Sequence, residues 1–347
     1  MRRFVLITAL IPILAAYAAL AVAAAPPAAA AATTYKVAAW TFGDRASLTQ
    51  AADRHALDQV DVDWYISNKN GTLGAVDQNL AYVRLARSRR LTVFATVANW
   101  NTAKGRFDRS IAQAILAGPV TRARHIDRLV NLCKVNGYNG IDLDWEALRA
   151  ADRDRFSTFV ETLAQRLHAA GKLLSIAVYP KTSEPGQWQG QRSEDWLRIG
   201  KAVDQFKIMT YDFSGPWSRP GPVAPPSWTS HVLDFAQTIV PLQKIWMGVP
   251  FYGYDWGGGH CASLTWTGAH DLIARYHPQV HHAASHEARF HYRAGGHRHE
   301  VYFQDRVALA AKLSMMLRKH PRIAGIAIWR MGGDPAMFWD QIAAQLK

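Results

Sequence analysis

The chain has 347 residues, 49% of them hydrophobic and 19% charged, with a formal net charge of +13. That balance excludes a disordered chain, which would lack the apolar residues to build a core. The positive excess attracts anionic partners such as cell-wall polymers. The basic residues are nonetheless spread out, without the Lys/Arg runs of a nucleic-acid arm, so nucleic acid is not an expected partner.

At the N-terminus, Arg2 and Arg3 precede an uncharged apolar run from Phe4 to Ala25. An Ala-rich tract with several A-x-A sites follows, before Tyr35. This is the pattern of a secretory signal, so residues 1–32 are expected to be a signal peptide. The protein is then secreted, periplasmic or associated with the cell envelope. The run exceeds the roughly 7–15 residues of a signal core, and about 20 apolar residues span a bilayer. An uncleaved anchor is therefore the alternative, and any membrane contact is expected there alone. An exported chain can join its two cysteines, Cys133 and Cys261. One lies in an apolar helical stretch and the other in a Gly/His-rich loop, so two free thiols are the better reading.

Residues 35–347 read as one catalytic domain. Eight short β-rich runs occur at Lys36–Phe42, Val60–Ile66, Leu91–Ala98, Gly140–Trp145, Leu173–Tyr179, Gln205–Tyr211, Lys244–Phe251 and Ile323–Trp329. Between most of them lie segments with helical apolar spacing, such as Ile126, Leu129, Val130 and Cys133. Strand and helix alternating in this number predict an α/β fold, a (β/α)8 barrel. An open doubly wound sheet would want a Gly-rich phosphate loop after an early strand, and none is present. The interval of about 253–304 is too long for a plain βα loop. It is expected to be a small α+β insertion between strand seven and helix seven. Nine of the 14 histidines fall in it, between His260 and His299. Their spacings match no compact ligand pattern, so they read as solvated loop residues, and no metal or cofactor is expected.

The sharpest feature is Gly140-Ile141-Asp142-Leu143-Asp144-Trp145-Glu146. Strand side chains alternate faces, so the three acids share one face and the three apolar residues the other. In a barrel the acids then point inward, close to the C-terminal end where barrel enzymes place their chemistry. Residues i and i+2 lie roughly 6.5–7 Å apart, and like charges at that range push at least one pKa up. A structural role would need a basic partner for each acid, and a Mg2+ site is a second alternative. Glycoside hydrolysis explains the set better. The leaving sugar oxygen needs a proton from an acid that stays protonated near neutral pH. Glu146, last in the row, is the candidate. Asp144 raises its pKa, and Asp142 is expected to share a proton with Asp144.

At these residues the chain resembles glycoside hydrolase family 18, whose strand-four pattern is D-x-x-D-x-D-x-E. Here Asn139 stands at the first position, followed by Asp142, Asp144 and Glu146. Met209-Thr210-Tyr211-Asp212 is similar to the family's M-x-Y-D. Gly248–Gly253 resembles its strand-seven segment, and Gly325–Trp329 its last strand. The family's S-x-G-G on strand three is replaced by Val97-Ala98-Asn99-Trp100. Asp63-Trp64-Tyr65 with Asn70-Gly71 is more similar to the spore-cortex-lytic branch than to the chitinases.

The resemblance implies a substrate-assisted retaining glycosidase acting on an N-acetylglucosamine-containing polysaccharide, chitin or peptidoglycan. Its catalytic set would be Glu146, Asp144, Asp142 and Tyr211. Trp329, Asp212, Met209, Tyr252, Asn99 and Trp40 would bind substrate. Parity agrees: Lys207, Met209 and Tyr211 share a face, and small Gly325 and Ala327 leave room beneath Trp329. Trp100, Trp217, Trp228 and Trp256 are further candidates for sugar stacking. A monomer is expected. The alternatives are a glycan-binding lectin on the same fold, or a metal-dependent hydrolase.

Overall fold

The alternation of small, polar and bulky residues along eight short strands closes them into a ring. The computed structural model describes residues 35–347. The barrel strands are β1 (Lys36–Thr41), β2 (Gln59–Ser67), β3 (Thr92–Ala98), β4 (Gly140–Asp144), β5 (Leu173–Val178), β6 (Gln205–Ile208), β7 (Ile245–Pro250) and β8 (Gly325–Trp329). Each is parallel to its neighbours in chain order, and β1 pairs with both β2 and β8, which closes the (β/α)8 barrel. The expected signal or anchor segment lies outside the described residues. Among those described, no helix is long and apolar enough to cross a membrane.

Strand parity sorts the core. Val60, Val62, Val93, Val97, Ile141, Leu143, Ile176, Phe206, Val249 and Ile328 face outward under the helices. Trp145, just past β4, stacks on Phe159 at 4.7 Å between ring centroids. Ala38, Trp40, Ala177, Trp246 and Ala327 form a separate inward layer. Below it the interior is polar: Lys207 lies with Asp61 and Asp142, all fully buried. Six of the described helices start on side-chain caps. Asp44, Asn79, Asp108, Asp195, Thr265 and Asp305 each accept from a backbone N–H in the first turn.

After β7 the chain leaves the barrel for five antiparallel strands and one helix, Trp266–Tyr276, before returning at the helix Arg306–Lys319. The strands Tyr252–Gly257 and His297–Phe303 pair at its centre. Its histidines are dispersed: His299 pairs with Asp255, His282 with Asp305 and His291 with Glu300. Among the described residues no three His, Cys, Asp or Glu converge as a metal-holding group. Cys133 and Cys261 are both free.

Most strand ends differ from the expected runs by a residue or more, and two of them bear on the cleft. β4 stops at Asp144, so Glu146 stands beyond it, and Ala147 takes a left-handed φ of 61°. β6 ends at Ile208 instead of Tyr211. There the backbone tightens into two successive i→i+2 bonds, Thr210 N–H to Ile208 O at 2.8 Å and Tyr211 N–H to Met209 O at 2.7 Å.

Candidate active site

The C-terminal ends of the strands open into a cleft of about 820 Å³. Asp144, Glu146, Tyr211, Asp212, Met209, Trp40 and Trp329 all line it. Tyr252 and Asn99 do not, and their side chains are committed elsewhere.

Asp142 differs from expectation. Its two oxygens accept from Trp40 Nε1 (2.7 Å), Thr96 Oγ1 (3.1 Å), Ser175 Oγ (2.5 Å) and Lys207 Nζ (2.9 Å). A carboxylate with four donors has no use for a proton shared with Asp144. It serves instead as a buried anion paired with Lys207. Lys207 also donates to Asp61 at 2.6 Å and lies 4.9 Å from the centroid of Trp40. Burial lowers the Lys207 pKa, but the two carboxylates outweigh it and the net direction is up.

Asp144 is the opposite case. It is buried and its Oδ1 has no partner. Burial, followed by the charges of Glu146, Asp63 and Asp142, raises its pKa well above the carboxylate range. Glu146 accepts from the Tyr179 hydroxyl at 2.8 Å. Burial pushes its pKa up to about 7; Tyr179 opposes this, while Asp212 and Asp63 add to it. The shift of Glu146 keeps it partly protonated near neutral pH, which a proton donor requires.

Asn99 is fully buried, which corrects its expected place against substrate. Its amide brackets the backbone of the proton-donor candidate, accepting from Glu146 N–H (2.8 Å) and donating to Glu146 O (2.9 Å). Tyr252 is likewise a supporting residue. Its hydroxyl and that of Tyr254 (2.9 Å) donate to Asp212 Oδ1, which fixes Asp212 at a φ of 59°. Trp40 is only 2% exposed and its indole N–H is spent on Asp142, so it forms wall rather than polar contact. Trp329 packs edge-on against Trp40 (5.8 Å) and Phe42 (6.3 Å), which sets its ring as the cleft floor.

Tyr211 sits where it does because Gly248 is bare. A Cβ there would lie 2.4 Å from Ile208 O and 2.9 Å from Tyr211 Cε1. Gly248→Ala is expected to push the Tyr211 ring aside. The measurable result is a fall in kcat of about tenfold or more, with a stability loss of about 1–3 kcal/mol by urea denaturation. Of the other tryptophans, Trp217 (67% exposed) and Trp228 line the cleft. Trp256 is buried on Gly215 O, and Trp100 packs behind Phe107, which lines the cleft in its place.

Several residues of the site were not anticipated. Tyr179 follows Ser175 and Ala177 at inward parity, a signal that was legible. Asp61 and Asp63 share the inward face of β2. Burial and then Asp142 push the Asp63 pKa up to about 7, while Arg330 opposes them.

A family model for glycosyl hydrolases family 18 matches residues 65–334, most of the chain, including Asp142, Asp144, Glu146, Tyr211 and Asp212. The chain belongs to glycosyl hydrolase family 18. It is 28% identical over 311 residues to the uncharacterized glycosylase YvbX of Bacillus subtilis, covering 87% of this chain and 89% of that one. It is 27% identical over 275 residues to the cortical fragment-lytic enzyme of the same organism, covering 77% of this chain and 62% of the relative's length. The crystal structure of a chitinase from Chromobacterium violaceum superposes with a TM-score of 0.82 at 29% identity, covering 90% of this chain and 98% of that one. As a member of family 18, the chain is a glycosidase.

Proposed function

We propose that this glycosidase is exported and cuts β-1,4-linked N-acetylglucosamine glycans, chitin or peptidoglycan, by substrate-assisted retaining catalysis. The observation that carries the reading is the unpartnered Asp144 beside Glu146 in an aromatic-floored cleft. A structural carboxylate would be paired, as Asp142 is. Asp144 is left free for something that arrives with substrate.

In this reading a sugar ring stacks on Trp329, whose face suits the apolar C–H groups of the ring. Asp144 accepts the N–H of the 2-acetamido group, and the Tyr211 hydroxyl donates to its carbonyl. That carbonyl oxygen attacks C1 as the C1–O bond breaks, and Glu146 gives its proton to the leaving oxygen. The positive charge of the oxazolinium ion is balanced by Asp144. Water then attacks C1, the C1–O bond of the oxazolinium ring breaks to restore the acetamido group, and Glu146 takes a proton from the water. Asp212 and Met209 flank the ring. The protein acts as a monomer, with residues 1–32 directing export. The net charge of +13 favours the anionic wall polymer, in line with the names of the cortex-lytic relatives.

The test is digestion of chitooligosaccharides and purified peptidoglycan, with and without EDTA, identifying the new reducing end. The expected result is cleavage that leaves N-acetylglucosamine at the reducing end and ignores EDTA. A reducing-end muramic residue, or loss of activity with EDTA, contradicts the proposal.

A further inference from the structure

Glu146 stands past the end of β4 and is steadied from β5. The Tyr179 hydroxyl donates to Glu146 Oε2 at 2.8 Å and accepts from the N–H of Ala147 at 3.0 Å. Tyr179 in turn lies one residue beyond β5. There the ladder has run out, because Met209 N–H takes the carbonyl of Val178 and β6 has already turned away. The orphaned N–H of Tyr179 is met by a carboxylate: both oxygens of Glu194 accept it, at 3.0 and 3.2 Å. Glu194 is only 3% exposed and also accepts from Trp196 Nε1 at 3.1 Å. Its backbone carbonyl is gripped by Lys181 Nζ (2.7 Å) and by Arg153 (2.7 Å). Both cations pair with Glu184, and Arg153 also with Asp195. The ring of Tyr179 is held too, edge-on to Trp188 at 4.5 Å.

We infer that Glu194 is a positioning residue for the proton donor. It fixes the backbone of Tyr179, and the Tyr179 hydroxyl then sets the orientation and proton affinity of Glu146. The catalytic consequence rests on the proposed role of Glu146. A buried acid costs more than a neutral cap would, and this one is spent on the Tyr179 N–H that governs the brace and on the Trp196 indole N–H. The charged and titratable groups facing Glu146 are Asp144 from β4, Asp63 from β2, Tyr179 from β5, and Tyr211 and Asp212 after β6. Of these, Tyr179 alone donates a hydrogen bond to it and holds its pKa down. Those facing Glu194 are Lys181, Glu184, Arg153, Asp195 and Tyr179, together with Glu146 itself, whose charge adds to the upward push on Glu194.

The test follows the Glu146 carboxyl carbon by 13C NMR in glutamate-labelled full-length protein, assigned by its disappearance in Glu146→Gln. It also follows kcat and KM on a neutral chitooligosaccharide. Tyr179→Phe removes the donor, so the Glu146 midpoint is expected to rise and kcat to fall about tenfold with KM little changed. Glu194→Ala should do the same. Glu194→Gln keeps an acceptor for the Tyr179 N–H and should restore most of both readouts, which a role through charge alone would not allow. The double variant Tyr179→Phe/Glu194→Ala should be no worse than Tyr179→Phe. If Glu194→Ala fails to fold, Glu194→Asp replaces it, keeping the charge but falling short of the N–H. An unmoved Glu146 midpoint in the Glu194 variant, a Gln variant as poor as Ala, or losses that multiply in the double variant overturns the inference. Because the midpoint is read without substrate, a protein that cuts neither polymer would sink the proposed function and leave this test standing.

Discussion

Glu146→Gln is expected to lower kcat on a chitooligosaccharide by about 10²–10⁴-fold with little change in KM. Glutamine has the same size and still accepts the Tyr179 hydroxyl, so the site keeps its shape and loses only the proton. The pH dependence of the wild type follows from the same group. Glu146 is pushed up to about 7, chiefly by burial, and it must be protonated to act. Activity should therefore be full on the acid side and fall as pH rises through neutrality. Asp144, also raised, titrates together with Glu146, so the alkaline limb belongs to the pair. In Glu146→Gln the residual rate should lose most of that limb. Steady-state rates between pH 5 and 9 check both statements. A variant retaining more than about a tenth of kcat would mean that another group supplies the proton.

Lys207→Met is expected to cost about 3–5 kcal/mol of stability, read by urea denaturation at pH 8. Lys207 is the shared cation of Asp61 and Asp142, all three fully buried. Methionine fills the space but leaves two facing carboxylates without a countercharge. The pH dependence has a definite sign. Burial already pushes the Asp61 pKa up to about 6 against the pull of Lys207, and without that cation it rises further, so the deficit grows as pH rises past the unfolded value. It should shrink at pH 5, where burial lets Asp61 take up a proton. A loss below about 1 kcal/mol at pH 8 would show that the triad is not an ion pair at all.

Much of this was legible in the sequence because strand parity is a strict rule. Period two along Gly140–Glu146 put the acids on one face and Ile141, Leu143 and Trp145 on the other, and the barrel keeps that sorting. All eight β-rich runs became barrel strands for the same reason. What parity cannot show is which neighbour an inward residue meets. Asp142 and Asp144 read alike on the strand. They differ because Lys207, two strands further along the barrel, reaches one and not the other. Asn99 and Tyr252 carried the chemistry of substrate contact, yet their partners are the Glu146 backbone and Asp212, fixed by loop geometry that has no period. Tyr179 and Glu194 lie 15 residues apart and meet only because the segment after β5 folds back on the strand end.

The account turns on the 2-acetamido group of the substrate being the nucleophile, with Asp144 and Glu146 serving it. The most direct measurement is the anomeric configuration of the first product, taken by proton NMR before mutarotation, on a β-1,4-linked N-acetylglucosamine oligomer. Double displacement through the oxazolinium ion predicts the β-anomer at the new reducing end. The α-anomer as first product would mean direct attack by water and would contradict the mechanism.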